Sequence, residues 1–175
     1  MNTTRQSALL TEFYDTYSQP LYGYLCRLVR DRACAEELLQ DVYTRAYRAL
    51  PRLGEGANYR AWLYRIATNA ARDWHRRQSI RPWQSWRATS DETRDGDETE
   101  PDPAPALPVE ERLAIEEALQ ALAPMYRVPL VLYAIEGLTT EEIAKVLGIG
   151  RSAVKMRLAR ARSQFQASYG ADRHV

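Results

Sequence analysis

The feature that most constrains the fold is a pair of short helical patterns separated by a glycine, between Leu138 and Phe165. Thr139 suits a helix N-cap, and Glu142, three residues later, is placed to bond the cap amide in a capping box. Gly148 follows the first apolar pattern and suits the left-handed residue that commonly ends a helix. The stretch therefore predicts two helices joined by a sharp turn.

The second of these helices combines an apolar stripe with a basic surface. The segment from Arg151 to Arg162 contains five basic residues and no acid. A basic helix behind a tight turn is typical of the helix-turn-helix, whose second helix enters the major groove of DNA. The alternative is a solvated basic helix on an ordinary helical bundle. The predicted inward stripe consists of Val154, Leu158, Ala161 and Phe165.

Composition divides the chain into two parts. The segment from Asp91 to Asp102 holds seven acids and one arginine, and prolines follow it as far as Pro108 without apolar periodicity. Such a segment cannot form a core and is typical of a linker. We therefore predict an all-α protein with two small helical domains, residues 9–78 and 108–169, joined by a flexible acidic linker, residues 79–107. The net charge of the whole chain is near zero because the acidic linker offsets the positive charge of two basic domains.

Residues that carry enzyme chemistry are few. Cys26 and Cys34 are the only cysteines, His75 and His174 are the only histidines, and no glycine-rich phosphate loop is present. This pattern predicts no enzyme activity, no cofactor and no metal site. Buried free thiols are the expected state of the cysteines, with a redox pair as the alternative. No apolar run suits a bilayer span and no signal peptide is evident, so a cytoplasmic location without membrane insertion is expected.

The N-terminal half reads as helical throughout. Apolar residues at helical spacing from Leu9 to Arg48 predict three helices, with Pro20 in the first turn of the second and Asp31 capping the third. A loop is expected from Pro51 to Asn58. A fourth, basic helix is expected from about Tyr59 to Gln78, with Trp62 and Trp74 packing near its apolar stripe rather than stacking on bases.

Two segments of this half carry a family resemblance. The sequences AEELLQDVYTRAYRAL, residues 35–50, and NYRAWLYRIATNAARDWHRR, residues 58–77, resemble region 2 of the extracytoplasmic-function (ECF) sigma factors of bacterial RNA polymerase. The helix-turn-helix resembles their region 4. The resemblance implies a sigma factor that binds core RNA polymerase, directs initiation at promoter DNA and performs no bond chemistry. It also implies an anti-sigma protein as a partner.

The resemblance assigns polymerase binding to the helix within residues 35–48. Asp41 stands where the family usually has Glu, which keeps the charge and shortens the reach. A plain amphipathic core helix is the alternative interpretation. The matching residues are Glu37, Leu38, Gln40, Asp41, Tyr43 and Arg45.

Recognition of melted minus-ten DNA is implied for the loop at residues 54–59 and the helix after it. Asn69 would offer both a donor and an acceptor to a flipped base, with a merely solvent-facing Asn as the alternative. The arginines would neutralise phosphates and contribute affinity that falls with salt. The matching residues are Tyr59, Arg60, Arg65, Asn69, Arg72, Asp73, Arg76 and Arg77.

Recognition of the minus-thirty-five duplex is implied for the second helix of the helix-turn-helix. Because Met156 and Ala159 offer no side-chain hydrogen bond, direct readout would depend mainly on Lys155 and Arg160. The matching residues are Arg151, Ser152, Lys155, Met156, Arg157, Ala159 and Arg160. The acids of the linker would mimic nucleic acid inside the polymerase. A free-standing regulator that forms no holoenzyme is the main rival, and a nucleic-acid-processing enzyme is a more distant one.

Overall fold

The computed structural model describes residues 3–54, 56–78 and 107–171, and the regular structure in these ranges is entirely helical. This confirms the predicted all-α class. No helix in the described ranges is long and apolar enough to cross a membrane. A short 3-10 helix, Leu50–Arg52, follows the second α-helix. The α-helices are α1 Thr3–Val29, α2 Arg32–Ala49, α3 Tyr59–Gln78, α4 Val109–Ala121, α5 Pro124–Ala134, α6 Thr140–Leu147 and α7 Arg151–Ala171.

The N-terminal half contains two helices where three were predicted before Pro51. Helix α1 continues through Pro20, so the prediction of a helix boundary there is wrong. Proline removes an amide donor and crowds the preceding turn, but Pro20 lies on the exposed side of α1. Apolar side chains on both sides of it, Phe13 and Leu21 among them, share one buried stripe. Burial of that continuous stripe outweighs the local cost of the proline.

The start of α2 follows the sequence prediction. The Asp31 carboxylate accepts a hydrogen bond from the Cys34 amide at 3.0 Å, which satisfies one of the unpaired donors at the helix N-terminus. Arg30, just before it, has a φ of 58°, in the left-handed region. Arg30 and the extended Asp31 together form the short connection between α1 and α2.

The turn between α6 and α7 also has its predicted geometry. The Thr139 hydroxyl accepts from the Glu142 amide at 3.2 Å, and the Glu142 carboxylate accepts from the Thr139 amide at 2.7 Å, which completes the capping box. Gly148 ends α6 with a φ of 66°. Val154, Leu158 and Ala161 are buried, and Phe165 is half-buried.

The capping box gives a stability prediction. Thr139→Ala removes the hydroxyl that accepts the Glu142 amide, and we expect it to lower the free energy of unfolding by about 1 kcal/mol. Chemical denaturation followed by circular dichroism measures the change. Thr140→Ala, one residue later and inside the helix, is the matched control. An equal loss in both variants would contradict a specific role for the cap.

The two halves of the chain pack against each other, an arrangement that the sequence analysis did not predict. Helix α3 contacts α6, and the buried apolar residues of both halves form one continuous cluster. Tyr24, Leu63 and Tyr64 are buried in the first half, while Leu138 and Ile143 are buried in the second. The helix-turn-helix therefore lies beside the start of α3.

Candidate nucleic-acid interface

Helix α7 presents the predicted DNA-binding residues on its solvent side. Its buried stripe faces α5 and α6, so the residues between stripe positions point outward. Met156 is 51% exposed at the middle of this surface, and Arg157 is half-buried at its edge. The other exposed members of the predicted set are Arg151, Ser152, Lys155, Ala159 and Arg160.

Aromatic side chains of α5 contact two arginines of α7 on the side of this basic surface that lies next to α5. Arg160 Nη1 lies 3.4 Å from the Tyr126 hydroxyl, and the Arg162 guanidinium lies 5.0 Å from the centre of the Tyr133 ring. Such cation–π and hydrogen-bond contacts limit the freedom of long side chains. The surface thus combines freely exposed cationic side chains with arginines that α5 holds in position. This combination suits contacts with the phosphates and base edges of duplex DNA.

Helix α3 carries a second basic surface. Arg65, Asn69, Arg72 and Arg76 recur at i, i+4, i+7 and i+11, and therefore share one face. The three arginines are exposed and Asn69 is half-buried. Arg72 Nη1 donates to the Asn69 side-chain oxygen at 3.4 Å, so the amide group is oriented before any ligand arrives.

Asp73 of α3 forms ion pairs with an arginine of its own helix and with an arginine of α2. Its carboxylate lies 3.1 Å from Arg76 and 3.4 Å from Arg45, and Arg45 in turn lies 2.7 Å from Asp41. The hydrogen bond to Asp41 is the main reason why the pKa of Arg45 is raised. Arg77 adds a contact of 3.4 Å from Nε to the Asp73 carbonyl. The predicted minus-ten and polymerase-binding residues are therefore in direct contact.

Two predicted minus-ten residues are engaged elsewhere. The half-buried Tyr59 ring lies 4.9 Å from the Phe13 ring. Arg60 donates to the backbone carbonyl of Glu136, in the C-terminal half of the chain. Neither side chain joins the exposed face of α3 in this conformation.

Helix α2 divides its predicted residues between core and surface. Leu38 and Tyr43 are buried, and the Tyr43 hydroxyl donates to the Phe13 carbonyl at 3.1 Å. Burial also raises the pKa of Tyr43. The surface that α2 offers to a partner consists of Glu37, Gln40, Asp41 and Arg45.

Several polar residues of the site were missed by sequence reasoning. Asn58 accepts the Ala61 amide at 3.0 Å, as an asparagine before a helix often does, and this was the one available signal. Glu136 is only 7% exposed at the end of an apolar run. Arg127 is buried and donates to Gln120, and burial lowers its pKa to about 10. Packing of the two halves brings Arg60 and Tyr64 to Glu136, whereas Arg127 meets Gln120 within the C-terminal half.

The cysteines and tryptophans lie in structural surroundings. Cys26 and Cys34 are half-buried, and burial is the main cause that raises the pKa of each thiol, which disfavours the reactive thiolate. Trp62 and Trp74 are half-buried against the core, as predicted. Within residues 3–54, 56–78 and 107–171, no cluster of His, Cys, Asp and Glu is arranged to hold a metal ion.

Family comparisons match both halves of the chain. Residues 13–81 match the family Sigma-70 region 2, and residues 112–165 match Sigma-70, region 4. RNA polymerase sigma factor CarQ of Myxococcus xanthus is 31% identical over 91% of this chain and 88% of its own length. ECF RNA polymerase sigma factor SigL of Mycobacterium tuberculosis is 32% identical over 87% of this chain and 84% of its own. Probable RNA polymerase sigma factor RfaY of Xanthomonas campestris is 37% identical over 78% of this chain, which spans 34% of that longer protein.

Solved structures share the fold. Sigma factor RpoE of Bartonella quintana, in complex with the anti-sigma factor NepR, aligns with a TM-score of 0.74 over 93% of this chain and 97% of its own, at 22% identity. CnrH, in complex with the cytosolic domain of CnrY, aligns with a TM-score of 0.70 over 95% of this chain and 90% of its own, at 24% identity. The likeness therefore extends across both helical halves.

Proposed function

The chain belongs to the extracytoplasmic-function sigma factors of the sigma-70 family, and on that premise we propose a role in transcription initiation for each of its exposed surfaces. It binds core RNA polymerase and directs promoter-specific initiation without bond chemistry of its own. We propose residues 9–78 and 108–169 as the two functional domains, which the family matches over residues 13–81 and 112–165 support. Because the polymerase works in the bacterial cytoplasm, the proposal places the chain there.

The surface of α7 binds the minus-thirty-five duplex in this proposal. The observation that carries it is the exposed basic face of α7 opposite a stripe in which Val154 and Ala161 are fully buried. Lys155 and Arg160 supply charged donors for base edges, while Arg151 and Ser152 hold the backbone at the helix N-terminus. Met156 and Ala159 supply apolar contacts, such as those made with thymine methyl groups.

The exposed face of α3 binds melted minus-ten DNA. The oriented amide of Asn69 reads a flipped base, and the exposed Arg65, Arg72 and Arg76 neutralise phosphates around it. Asp73 holds Arg76 in place through their ion pair. Tyr59 and Arg60 join this surface only after the contacts that now engage them are released.

The surface of α2 binds the core polymerase. Glu37 and Gln40 are exposed, and Asp41 is positioned by its ion pair with Arg45. Charged groups held in this way favour a specific docking geometry over a general attraction. An anti-sigma protein is a further partner, as it is for the sigma factor RpoE in its solved complex. The proposed role of the acidic linker concerns residues that lie outside the described ranges.

Transcription from defined starts tests the proposal. The purified chain is mixed with bacterial core RNA polymerase and fragmented genomic DNA of the source organism, and new RNA 5′ ends are mapped against core polymerase alone. Discrete starts that share two spaced upstream motifs are the expected result. DNA binding without a polymerase complex and without new starts would instead favour a free-standing helix-turn-helix regulator.

A further inference from the structure

We propose that Tyr126, a residue of α5 outside every set assigned to DNA, controls promoter specificity by positioning Arg160 of α7. The Tyr126 hydroxyl accepts a hydrogen bond from Arg160 Nη1 at 3.4 Å. Tyr126 acts through this guanidinium and is therefore a positioning residue rather than a DNA contact. The inference rests on the proposed function, because Arg160 reads base edges only if α7 binds the minus-thirty-five duplex.

Arg160 differs from the other cations of the proposed minus-thirty-five surface. In the described part of the chain, it is the only one of the four that forms a hydrogen bond with another side chain. A long side chain loses more conformational freedom on binding when nothing orders it beforehand. Arg160 therefore meets DNA in a narrower range of orientations than the other three cations, which are Arg151, Lys155 and Arg157.

The core of the C-terminal half holds Tyr126 in place. Its half-buried ring packs against the buried apolar cluster, and its amide donates to the Ala123 carbonyl at 2.8 Å. Farther along α5, Val131 and Leu132 are fully buried, and α5 packs against α7. A group supported by a packed helix keeps its position more precisely than one on a loop. The Tyr126 hydroxyl is therefore a fixed acceptor beside α7.

The guanidinium of Arg160 needs a defined orientation to read a base. Its donors lie in one plane and form a fork, which can donate two parallel hydrogen bonds to guanine in the major groove. Lys155, by contrast, carries a compact ammonium group whose donors rotate. The two residues lie roughly 140° apart around the helix axis, so they approach different base pairs. The Tyr126 hydroxyl therefore affects only the part of the motif that Arg160 reads.

The expected signature of this positioning is a loss of discrimination without a loss of charge. An arginine that turns freely still attracts phosphate, because that attraction depends on charge and distance. It discriminates between bases only while the plane of its guanidinium is aligned with a base edge. Removal of the Tyr126 hydroxyl should therefore weaken base selection and leave the salt dependence of binding unchanged.

A purely structural role is the alternative, because the same hydrogen bond joins α5 to α7. Tyr169 provides the matched control for it. The Tyr169 hydroxyl donates to the Glu111 carboxylate at 3.1 Å and so joins α7 to α4. Tyr169 is half-buried, as Tyr126 is, and belongs to no proposed DNA-binding set. Tyr169→Phe thus removes an interhelical hydrogen bond of α7 without altering a residue that faces DNA.

Promoter selectivity of the holoenzyme tests the inference. A promoter found by mapping starts is made into a library in which each base pair of the upstream motif is replaced in turn. Transcripts made by the full chain with core RNA polymerase are then counted for each template. We expect Tyr126→Phe to lower discrimination by about three- to tenfold at the base pairs whose selection Arg160→Ala abolishes. Selection at the other base pairs should match the wild type, as should the whole profile of Tyr169→Phe.

A combined substitution tests whether Tyr126 acts through Arg160. In an Arg160→Ala background, Tyr126→Phe should change the profile no further, because the hydroxyl then has no guanidinium to hold. An additional loss of selection or of activity in the double variant would mean that the hydroxyl acts by another route, and would contradict the positioning role.

Side-chain mobility tests the contact without DNA or polymerase. Nuclear magnetic relaxation of the arginine Nε–H groups in the full chain measures how far each guanidinium reorients on the picosecond-to-nanosecond timescale. We expect Tyr126→Phe to lower the order parameter of Arg160 to that of the exposed Arg151, and Tyr169→Phe to leave it unchanged. An order parameter of Arg160 that is the same in Tyr126→Phe and the wild type would refute the positioning contact.

The outcomes separate this inference from the proposed function. Equal selectivity of Tyr126→Phe and the wild type would overturn it, as would an equal and uniform loss in Tyr126→Phe and Tyr169→Phe. Absence of starts from the wild-type chain with core polymerase would instead count against the proposed function. The relaxation measurement would still decide whether Tyr126 restrains Arg160.

Discussion

Lys155→Glu is expected to weaken binding to the minus-thirty-five duplex by about 10- to 100-fold and to reduce promoter-specific initiation to a similar extent. Lys155 is exposed on the α7 surface, so the new carboxylate would face the bases and phosphates of a bound duplex where a charged donor now stands. Fluorescence anisotropy with a labelled duplex measures the affinity at several salt concentrations. The slope of log affinity against log salt should also become shallower by about one or more.

Arg112→Glu is the matched control for this change. Arg112 is an exposed basic residue of α4 in the same half of the chain, and it belongs to no proposed DNA-binding set. The two variants alter net charge equally, so a general electrostatic effect would weaken both. Equal affinities of the two variants for the duplex would contradict the assignment of α7 as the recognition helix.

Glu37→Lys is expected to lower affinity for core RNA polymerase by about tenfold or more, because it reverses an exposed charge on the proposed docking surface of α2. Competition with a labelled sigma factor for limiting core enzyme measures the affinity. Initiation should recover when the variant is supplied at high concentration, since the DNA-binding surfaces are unchanged. This recovery separates a docking defect from a defect in promoter recognition.

Glu117→Lys provides the comparison for the docking variant. Glu117 is an exposed acid on α4, away from α2, and its reversal changes net charge by the same amount. Thermal unfolding of both variants should match that of the wild type, as is usual for surface substitutions. A docking defect as large in Glu117→Lys as in Glu37→Lys would argue against a specific α2 interface.

Local signals predicted much of the secondary structure. The capping box at Thr139 and Glu142, the left-handed Gly148 and the Asp31 cap could be predicted because each depends on residues within a few positions of one another. The bounds of α3 could be predicted for the same reason. The predicted helix boundary at Pro20 was wrong because the tendency of proline to end a helix is outweighed by burial of an apolar stripe that continues on both sides of it. A short stretch of sequence does not show that burial.

The candidate site was predicted in part. Spacing along α3 and α7 placed the exposed arginines and Lys155 on common faces, because helical periodicity fixes which residues share a side. Apolar spacing also placed Leu38 and Tyr43 on the inner face of α2, where they are buried, whereas the family resemblance had included both in the polymerase-binding set. Spacing gave no warning that Arg60 contacts Glu136, 76 positions away in the chain.

The helical class, the helix caps, the basic faces and the order of the two family regions could all be predicted from the amino-acid sequence, since they follow from short-range chemistry and from motif order. Long-range packing, by contrast, brings the halves together, places Tyr64 and Asn58 against Glu136 and Glu142, and turns Arg60 toward the Glu136 carbonyl. The physical reason is that a buried carboxylate needs partners from wherever the fold brings donors, and residues far apart in sequence supply them only after both halves are folded.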